Sequence, residues 1–322
     1  MKLKKYRKIF IAGHNGMVGS AIHRFAIANN LGKKILTINK NKLNLLNKKK
    51  TFNYLKKNKP DIVFICSAQV GGIVANNQFP VDFLLNNLEI QNNLISGSYQ
   101  AGIKKIIFLG SSCIYPREYF KNKKFFDEED MLTGKLELTN EPYAISKIAG
   151  IKLCESFNRQ YGTKYRSIIP CNLYGPNDNY DLINSHVIPA LLKKFTDAKK
   201  KNLNKVKIWG TGKVKREFLH VDDLARAAFY LSSISEKEYK KLTKDQQSFL
   251  NVGYGKEISI LELCELIASI LNYDGKLIFD KSKPDGTKSK LINSNKIKKL
   301  GWKPEIPLKD GLKSILKDFI SL

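Results

Sequence analysis

Through the first half of the chain, short uninterrupted apolar bursts alternate with longer stretches of mixed pattern. Ile9–Ala12, Ile35–Ile38, Ile62–Cys66, Ile106–Leu109 and Tyr165–Ile169 have strand length. Helix-length stretches such as Val18–Asn29 and Phe83–Ala101 stand between them. A strand that is apolar at successive positions has no solvent face, so these predict a parallel sheet covered by helices on both sides, the doubly wound α/β class. Beyond Pro170 the texture changes. Asn172–Ser185 is rich in Asn, Asp, Gly and Pro and reads as a loop; a helix over Val187–Lys199 and a polar, lysine-rich stretch over Lys199–Lys205 follow. The pattern predicts a first domain over residues 1–172, to which the chain returns around 215–255. A smaller α/β domain is predicted from 173–214 and 256–322.

A length of 322 residues accommodates one large and one smaller domain. No apolar run reaches the roughly eighteen residues a membrane span needs. At the start, basic residues are followed only by the short apolar burst Ile9-Phe10-Ile11, too short for a signal peptide, so a cytoplasmic protein is expected. Five cysteines with no Cys-x-x-Cys pair, and four histidines with none at ligand spacing, predict neither a disulfide framework nor a metal site. The formal charge of +27 raises the question of nucleic acid. The lysines are scattered, however, no block exceeds three, and no recognition motif for RNA or DNA is present. The charge reads as a solvated lysine-rich surface, one that also suits a phosphorylated cofactor and an anionic substrate.

Candidate chemistry begins directly after the first strand, at Gly13-His14-Asn15-Gly16-Met17-Val18-Gly19. Three glycines between a buried strand and a helix serve a tight turn, a close backbone approach and helix–sheet packing. The helix N-terminal amides then receive a dinucleotide's pyrophosphate, as in Rossmann folds. An NAD site carries Asp or Glu near the end of the second strand, for the ribose 2′-hydroxyl. Here that region reads Thr37-Ile38-Asn39-Lys40, and no acidic residue precedes Asp61. Lys40 would attract a 2′-phosphate where a carboxylate would repel it, so NADP(H) is the expected cofactor.

Tyr143 and Lys147 stand four apart, on one face of a helix that Pro142 helps to open. An ammonium beside a phenol is expected to lower its pKa from about 10, readying it to give a proton to a ketone oxygen as hydride arrives. Upstream, a strand ends in Gly110-Ser111-Ser112-Cys113, and hydroxyls at the carboxyl end of a parallel strand sit where such sheets bind ligands. Ser111 or Ser112 could bond the same carbonyl oxygen.

Together, the glycine turn and the Ser plus Tyr-x-x-x-Lys set resemble the extended short-chain dehydrogenase/reductase family. Within it, the strings Gly13–Ile22, Val70–Asn77, Leu109–Pro116, Asn140–Glu155, Asn172–Pro176, Asn184–Leu192, Arg216–Asp223 and Lys283–Thr287 are similar to those of its 3,5-epimerase-4-reductases. The resemblance implies epimerisation of GDP-4-keto-6-deoxy-D-mannose at C3 and C5, then NADPH reduction at C4 to GDP-L-fucose. It makes Cys113 the base and His186 the acid of epimerisation, with Tyr143 and Ser111 on the enolate oxygen. For the cofactor it implies the whole turn Gly13, His14, Asn15, Gly16, Met17, Val18 and Gly19, together with Lys40. It adds Leu109, Gly110, Ser111 and Ser112 after the fourth strand, Lys147, then Pro170, Asn172, Leu173 and His186. For the substrate it implies Lys194, Trp209, Arg216 and Asp285. Asn15 and Lys40 stand where some members have Arg, and so does Lys194. A homodimer is implied, with Phe83–Tyr99 and Glu141–Tyr161 as interface helices. Another nucleotide-sugar enzyme of the family, such as a UDP-hexose epimerase, fits less well: the second-strand carboxylate is missing and the Cys113 and His186 strings are present. A basic nucleic-acid-binding protein on a dehydrogenase scaffold is the remaining, non-enzymatic alternative.

Overall fold

The protein is seen in a computed structural model that describes residues 3–119, 123–181, 185–282 and 285–320. The chain opens with β1 (Tyr6–Ala12), α1 (Met17–Ala28), β2 (Gly32–Leu36), α2 (Lys48–Asn58) and β3 (Ile62–Ile65). Next come α3 (Ile73–Gln78), α4 (Pro80–Gln100), β4 (Lys105–Leu109), α5 (Glu141–Tyr161) and β5 (Lys164–Pro170). The second half holds β6 (Asn172–Tyr174), α6 (Val187–Lys200), β7 (Lys205–Trp209), β8 (Lys215–His220), α7 (Val221–Ser233) and α8 (Glu236–Lys240). It ends with β9 (Phe249–Val252), β10 (Glu257–Ser259), α9 (Ile260–Leu271), β11 (Lys276–Asp280), α10 (Asn295–Lys299) and α11 (Leu308–Ile320). Local chemistry sets several boundaries. Asn47 caps α2, Ser259 and Glu262 form a reciprocal capping box on α9, and Gly162 ends α5 at φ 63°.

Six strands form one parallel sheet in the order β2-β1-β3-β4-β5-β9; the five apolar bursts account for β1 to β5, and β9 joins from the second half without having been expected as a strand. β1 and β3 are interior strands, and their Ile9, Phe10, Ile11, Val63 and Phe64 are fully buried. β2 begins three residues earlier than its apolar residues indicate, because Gly32, Lys33 and Lys34 join the ladder against β1. It is the edge strand, and an edge accepts exposed lysines that a central strand would not. β6 is a finding against expectation. The predicted loop after Pro170 starts with three residues paired in parallel with β8, inside a small sheet ordered β10-β8-β6. A strand so short carries no periodic signal of its own and exists through its partner. β7 and β11 form a separate parallel pair.

The buried apolar residues form two clusters. The larger surrounds the six-stranded sheet and takes in Ile292, Ile297 and Trp302 from the C-terminal region. The smaller packs α6, α9 and α11 around Leu192, Phe195, Leu263, Ile267 and Leu312. No helix among the described residues is long and apolar enough to cross a membrane.

Glu217 of β8 is fully buried and ties distant loops together, accepting hydrogen bonds from the Gly255 amide at 2.6 Å and the Ile292 amide at 3.2 Å. Burial dominates these bonds and pushes its carboxyl up to about 7, from a reference of 4.5. Between those two values the folded chain holds a proton that the unfolded chain has released, so stability falls as pH rises through this window. Denaturant unfolding across the window should show that fall. In Glu217→Gln, which keeps an acceptor oxygen for Gly255, the slope should flatten.

Candidate active site

Strand order reverses between β1 and β3, and there the sheet opens a crevice at its carboxyl edge. The glycine turn lies in that crevice. Gly13 has φ +88°, and a Cβ on it would meet the Ser67 amide at 2.7 Å across the gap. A Cβ on Gly19 would lie 2.1 Å from the Gly13 carbonyl oxygen, so α1 can approach the turn only without a side chain there. Gly16 caps α1 without any side-chain hydrogen bond, and no acidic residue occupies the first turn. The twelve-residue helix thus presents a positive end with bare amides, and Ser67 adds a buried hydroxyl without a partner beside it. These features fit the pyrophosphate of a dinucleotide.

At the end of β2, Asn39 stands where an NAD site would have a carboxylate. Its Oδ1 accepts from Asn15 Nδ2 at 2.9 Å. His14 also meets Asn39, while burial, ahead of His23, draws its imidazole below the usual range. Lys40 is exposed beside them.

Behind this turn, β4 runs out into Gly110 and Ser111, and one 3-10 turn carries Ser112, Cys113 and Ile114. The Ser111 hydroxyl accepts from the Cys113 amide at 3.3 Å and also meets the Tyr143 phenol. Ser112 is buried, so Ser111 is the serine that faces the site. α5 supplies Tyr143 and, one turn on, Lys147, whose Nζ lies 5.7 Å from the centre of the Tyr143 ring. The Lys147 ammonium donates to the Leu109 carbonyl at 2.8 Å, and burial lowers its pKa to about 8. The expected lowering of the Tyr143 pKa is not what this geometry produces. Burial pushes the phenol well up, the Cys113 sulfur adds to that, and only Ser111 pulls it back. The Lys147 ammonium, meanwhile, is bonded to the Leu109 carbonyl.

Cys113 is half-buried, and its sulfur accepts a hydrogen bond from Asn140 Nδ2 at 3.2 Å. Cys66, at the end of β3, also faces Lys147, and burial raises its thiol to about 12. Pro170 closes β5, and Asn172 and Leu173 follow in β6, with Asn172 Nδ2 donating to the Glu217 carbonyl at 3.0 Å. His186 is exposed at the N-cap of α6, and its field pulls the Asp178 carboxyl down while burial raises it. Among the described residues no contact joins His186 to Cys113 or Tyr143. Its neighbour Asn184, with Lys283 and Pro284 of another string, lies outside the described residues.

The other candidates lie outside the six-stranded sheet. Lys194 Nζ lies 5.2 Å from the Trp209 ring centre and donates to the Lys207 carbonyl at 3.1 Å. Trp209 is 49% exposed. Asp285 is engaged by Thr211, whose amide and hydroxyl donate to it at 2.7 and 2.8 Å. Arg216 Nη1 donates to the Thr287 carbonyl at 2.7 Å, and burial lowers its pKa. Lys290, which sequence reading misses, is within electrostatic reach of both Arg216 and Cys113. Burial lowers its pKa, and its charged neighbours are Cys113, Arg216 and Glu137. The ammonium links the sulfur end of the site to the arginine end. Nothing in the local sequence around Lys290 marks it, because the link is made only by folding.

A glycine turn at the switch point, with Ser, Tyr and Lys converging at the carboxyl edge of the same sheet, defines a nucleotide-dependent oxidoreductase of the short-chain type. The chain belongs to the NAD dependent epimerase/dehydratase family, whose model matches residues 9–241. It is 46% identical over 314 residues to the GDP-L-fucose synthase of Escherichia coli K12, covering 98% of this chain and 97% of that one. Among solved structures it resembles a GDP-6-OMe-4-keto-L-xylo-heptose reductase from C. jejuni, with TM-score 0.89 and 35% identity over 100% of this chain and 99% of that one. A GDP-mannoheptose C4 reductase from Campylobacter jejuni with NADP bound gives TM-score 0.86 and 34% identity over the full length of both chains.

Proposed function

We propose that this protein epimerises GDP-4-keto-6-deoxy-D-mannose at C3 and C5 and reduces the C4 ketone, yielding GDP-L-fucose. The observation that carries the reading is one pocket edge holding two chemistries: the Ser111–Tyr143–Lys147 set for a ketone oxygen, and the Cys113 sulfur beside it. The full-length similarity to a GDP-L-fucose synthase supports the same substrate.

The glycine turn and the bare end of α1 would hold the pyrophosphate of NADP(H), which supplies hydride when bound. Asn15 and Asn39 leave the 2′ position without a carboxylate, and Lys40 offers a charge to a phosphate there. Leu109, Gly110 and Lys147 would line the nicotinamide end. In epimerisation, the Cys113 thiolate removes the proton next to the ketone. The C–H electron pair passes into an enolate whose oxygen faces Tyr143 and Ser111, and His186 returns a proton on the opposite face. In reduction, Tyr143 gives its phenolic proton to O4. Arg216 suits the diphosphate through its planar fork, Trp209 and Lys194 the nucleotide, and Asp285 a sugar hydroxyl.

The domain division at residue 172, with returns around 215–255, is part of this reading, the smaller lobe holding the nucleotide sugar. So is a cytoplasmic homodimer, in which α4 and α5 present exposed Val81, Leu85 and Ile145 to the partner. A second reading, C4 reduction without epimerisation, is favoured by the likeness to a protein named as a C4 reductase. Incubation with GDP-4-keto-6-deoxymannose and NADPH separates them. The first reading expects stoichiometric NADPH loss and GDP-L-fucose; a C4-reduced product of unchanged C3 and C5 configuration supports the second. No NADPH loss contradicts both.

A further inference from the structure

We propose that Asn140 is a positioning residue for epimerisation: its amide donates to the Cys113 sulfur and holds it as the thiolate that takes the sugar proton, with Lys290 as the cation alongside. The inference rests on the reading of Cys113 as the base.

Three observations carry it. Asn140 Nδ2 lies 3.2 Å from the sulfur, and an amide N–H hydrogen bonds more strongly to a charged acceptor than to a neutral one. Asn140 occupies the N-cap of α5, a position where an Asn side chain ordinarily accepts from the helix's own amides. Here it makes no capping bond, and its Oδ1 is buried without a partner. The side chain has forgone its usual role and donates to the sulfur instead. The charged and titratable groups facing Cys113 complete the setting: Tyr143 and Lys147 from α5, and Lys290 from the segment after β11, with Glu137 and Arg216 beside Lys290. The ammonium groups favour an anion there. Cys66 shares Lys147, yet burial holds it as a thiol. Protons and electrons balance: the C–H bond breaks, an S–H bond forms, the electron pair enters the enolate, and the thiol later returns its proton to solvent.

The test is alkylation of Cys113 by iodoacetamide in the whole protein without substrate, followed by mass spectrometry of its peptide. Exchange of the substrate's C–H protons for solvent deuterium is measured in parallel. Asn140→Ala should slow both at neutral pH, by about tenfold. The alkylation difference should vanish at strongly alkaline pH, where every thiol is ionised. Asn140→Ser, which can still cap α5 but cannot reach the sulfur, should behave the same, so loss of helix stability is not the cause. Lys290→Met should slow alkylation in the same direction, and the absence of substrate keeps any diphosphate contact out of that reading. Unchanged alkylation in both Asn140 variants, or slowed alkylation with unslowed exchange, overturns the proposal. Full exchange in Cys113→Ser would instead remove the base reading beneath it.

Discussion

Replacing Tyr143 by Phe should lower the rate of NADPH oxidation on the keto sugar by about 10²–10⁴-fold, the worth of a positioned proton donor. Calorimetry should find NADPH affinity little changed, since the glycine turn and α1 are untouched. The structure adds a reason why this phenol suits reduction. Burial and the nearby Cys113 sulfur push its pKa up, so at neutral pH it carries the proton that the forming alkoxide needs. Ser111 beside it can orient that proton toward the substrate oxygen. Phe keeps the ring and its edge contact with Phe83, 6.3 Å between centres, so the loss should be chemical rather than structural. An unimpaired Tyr143→Phe enzyme would mean that O4 takes its proton from elsewhere.

The second large effect is expected at Cys113. Cys113→Ser should cut epimerisation by about 10²–10⁴-fold, because a serine hydroxyl is far too weak an acid to supply an anionic base near neutral pH. Folding should survive, since the residue is half-buried and the change is close to isosteric. Reduction depends on Tyr143, Lys147 and Ser111, all retained, so the variant should release C4-reduced sugar whose C3 and C5 are not inverted. Product analysis by NMR reads this directly, and formation of GDP-L-fucose at full rate by Cys113→Ser would remove the base assignment.

Legibility followed locality. β1, β3, β4 and β5 were plain in the sequence because central parallel strands must be apolar on both faces. β2 was placed late because the edge of the sheet tolerates Lys33 and Lys34, and β6 was hidden because three residues carry no period. The turn glycines and the Tyr143–Lys147 pair were legible for the same reason: each is one short segment whose spacing is its geometry. Cys113 and His186 depended on the family resemblance. Among the described residues, Cys113 contacts the rest of the constellation and His186 does not. The Asn140–Cys113 bond joins residues 27 apart, and Lys290 arrives from the segment after β11. Such contacts are products of tertiary packing, and no local pattern announces them. The phenol's raised pKa was likewise invisible, since it follows from burial and from the Cys113 sulfur nearby.

The central claim is that deprotonation beside the ketone and delivery of hydride to it happen on one sugar in one pocket. Turnover in deuterium oxide with unlabelled NADPH tests that most directly. The GDP-L-fucose released should carry solvent deuterium at C3 and C5, and protium from the cofactor at C4. A product reduced at C4 without deuterium at either neighbouring carbon would contradict the account.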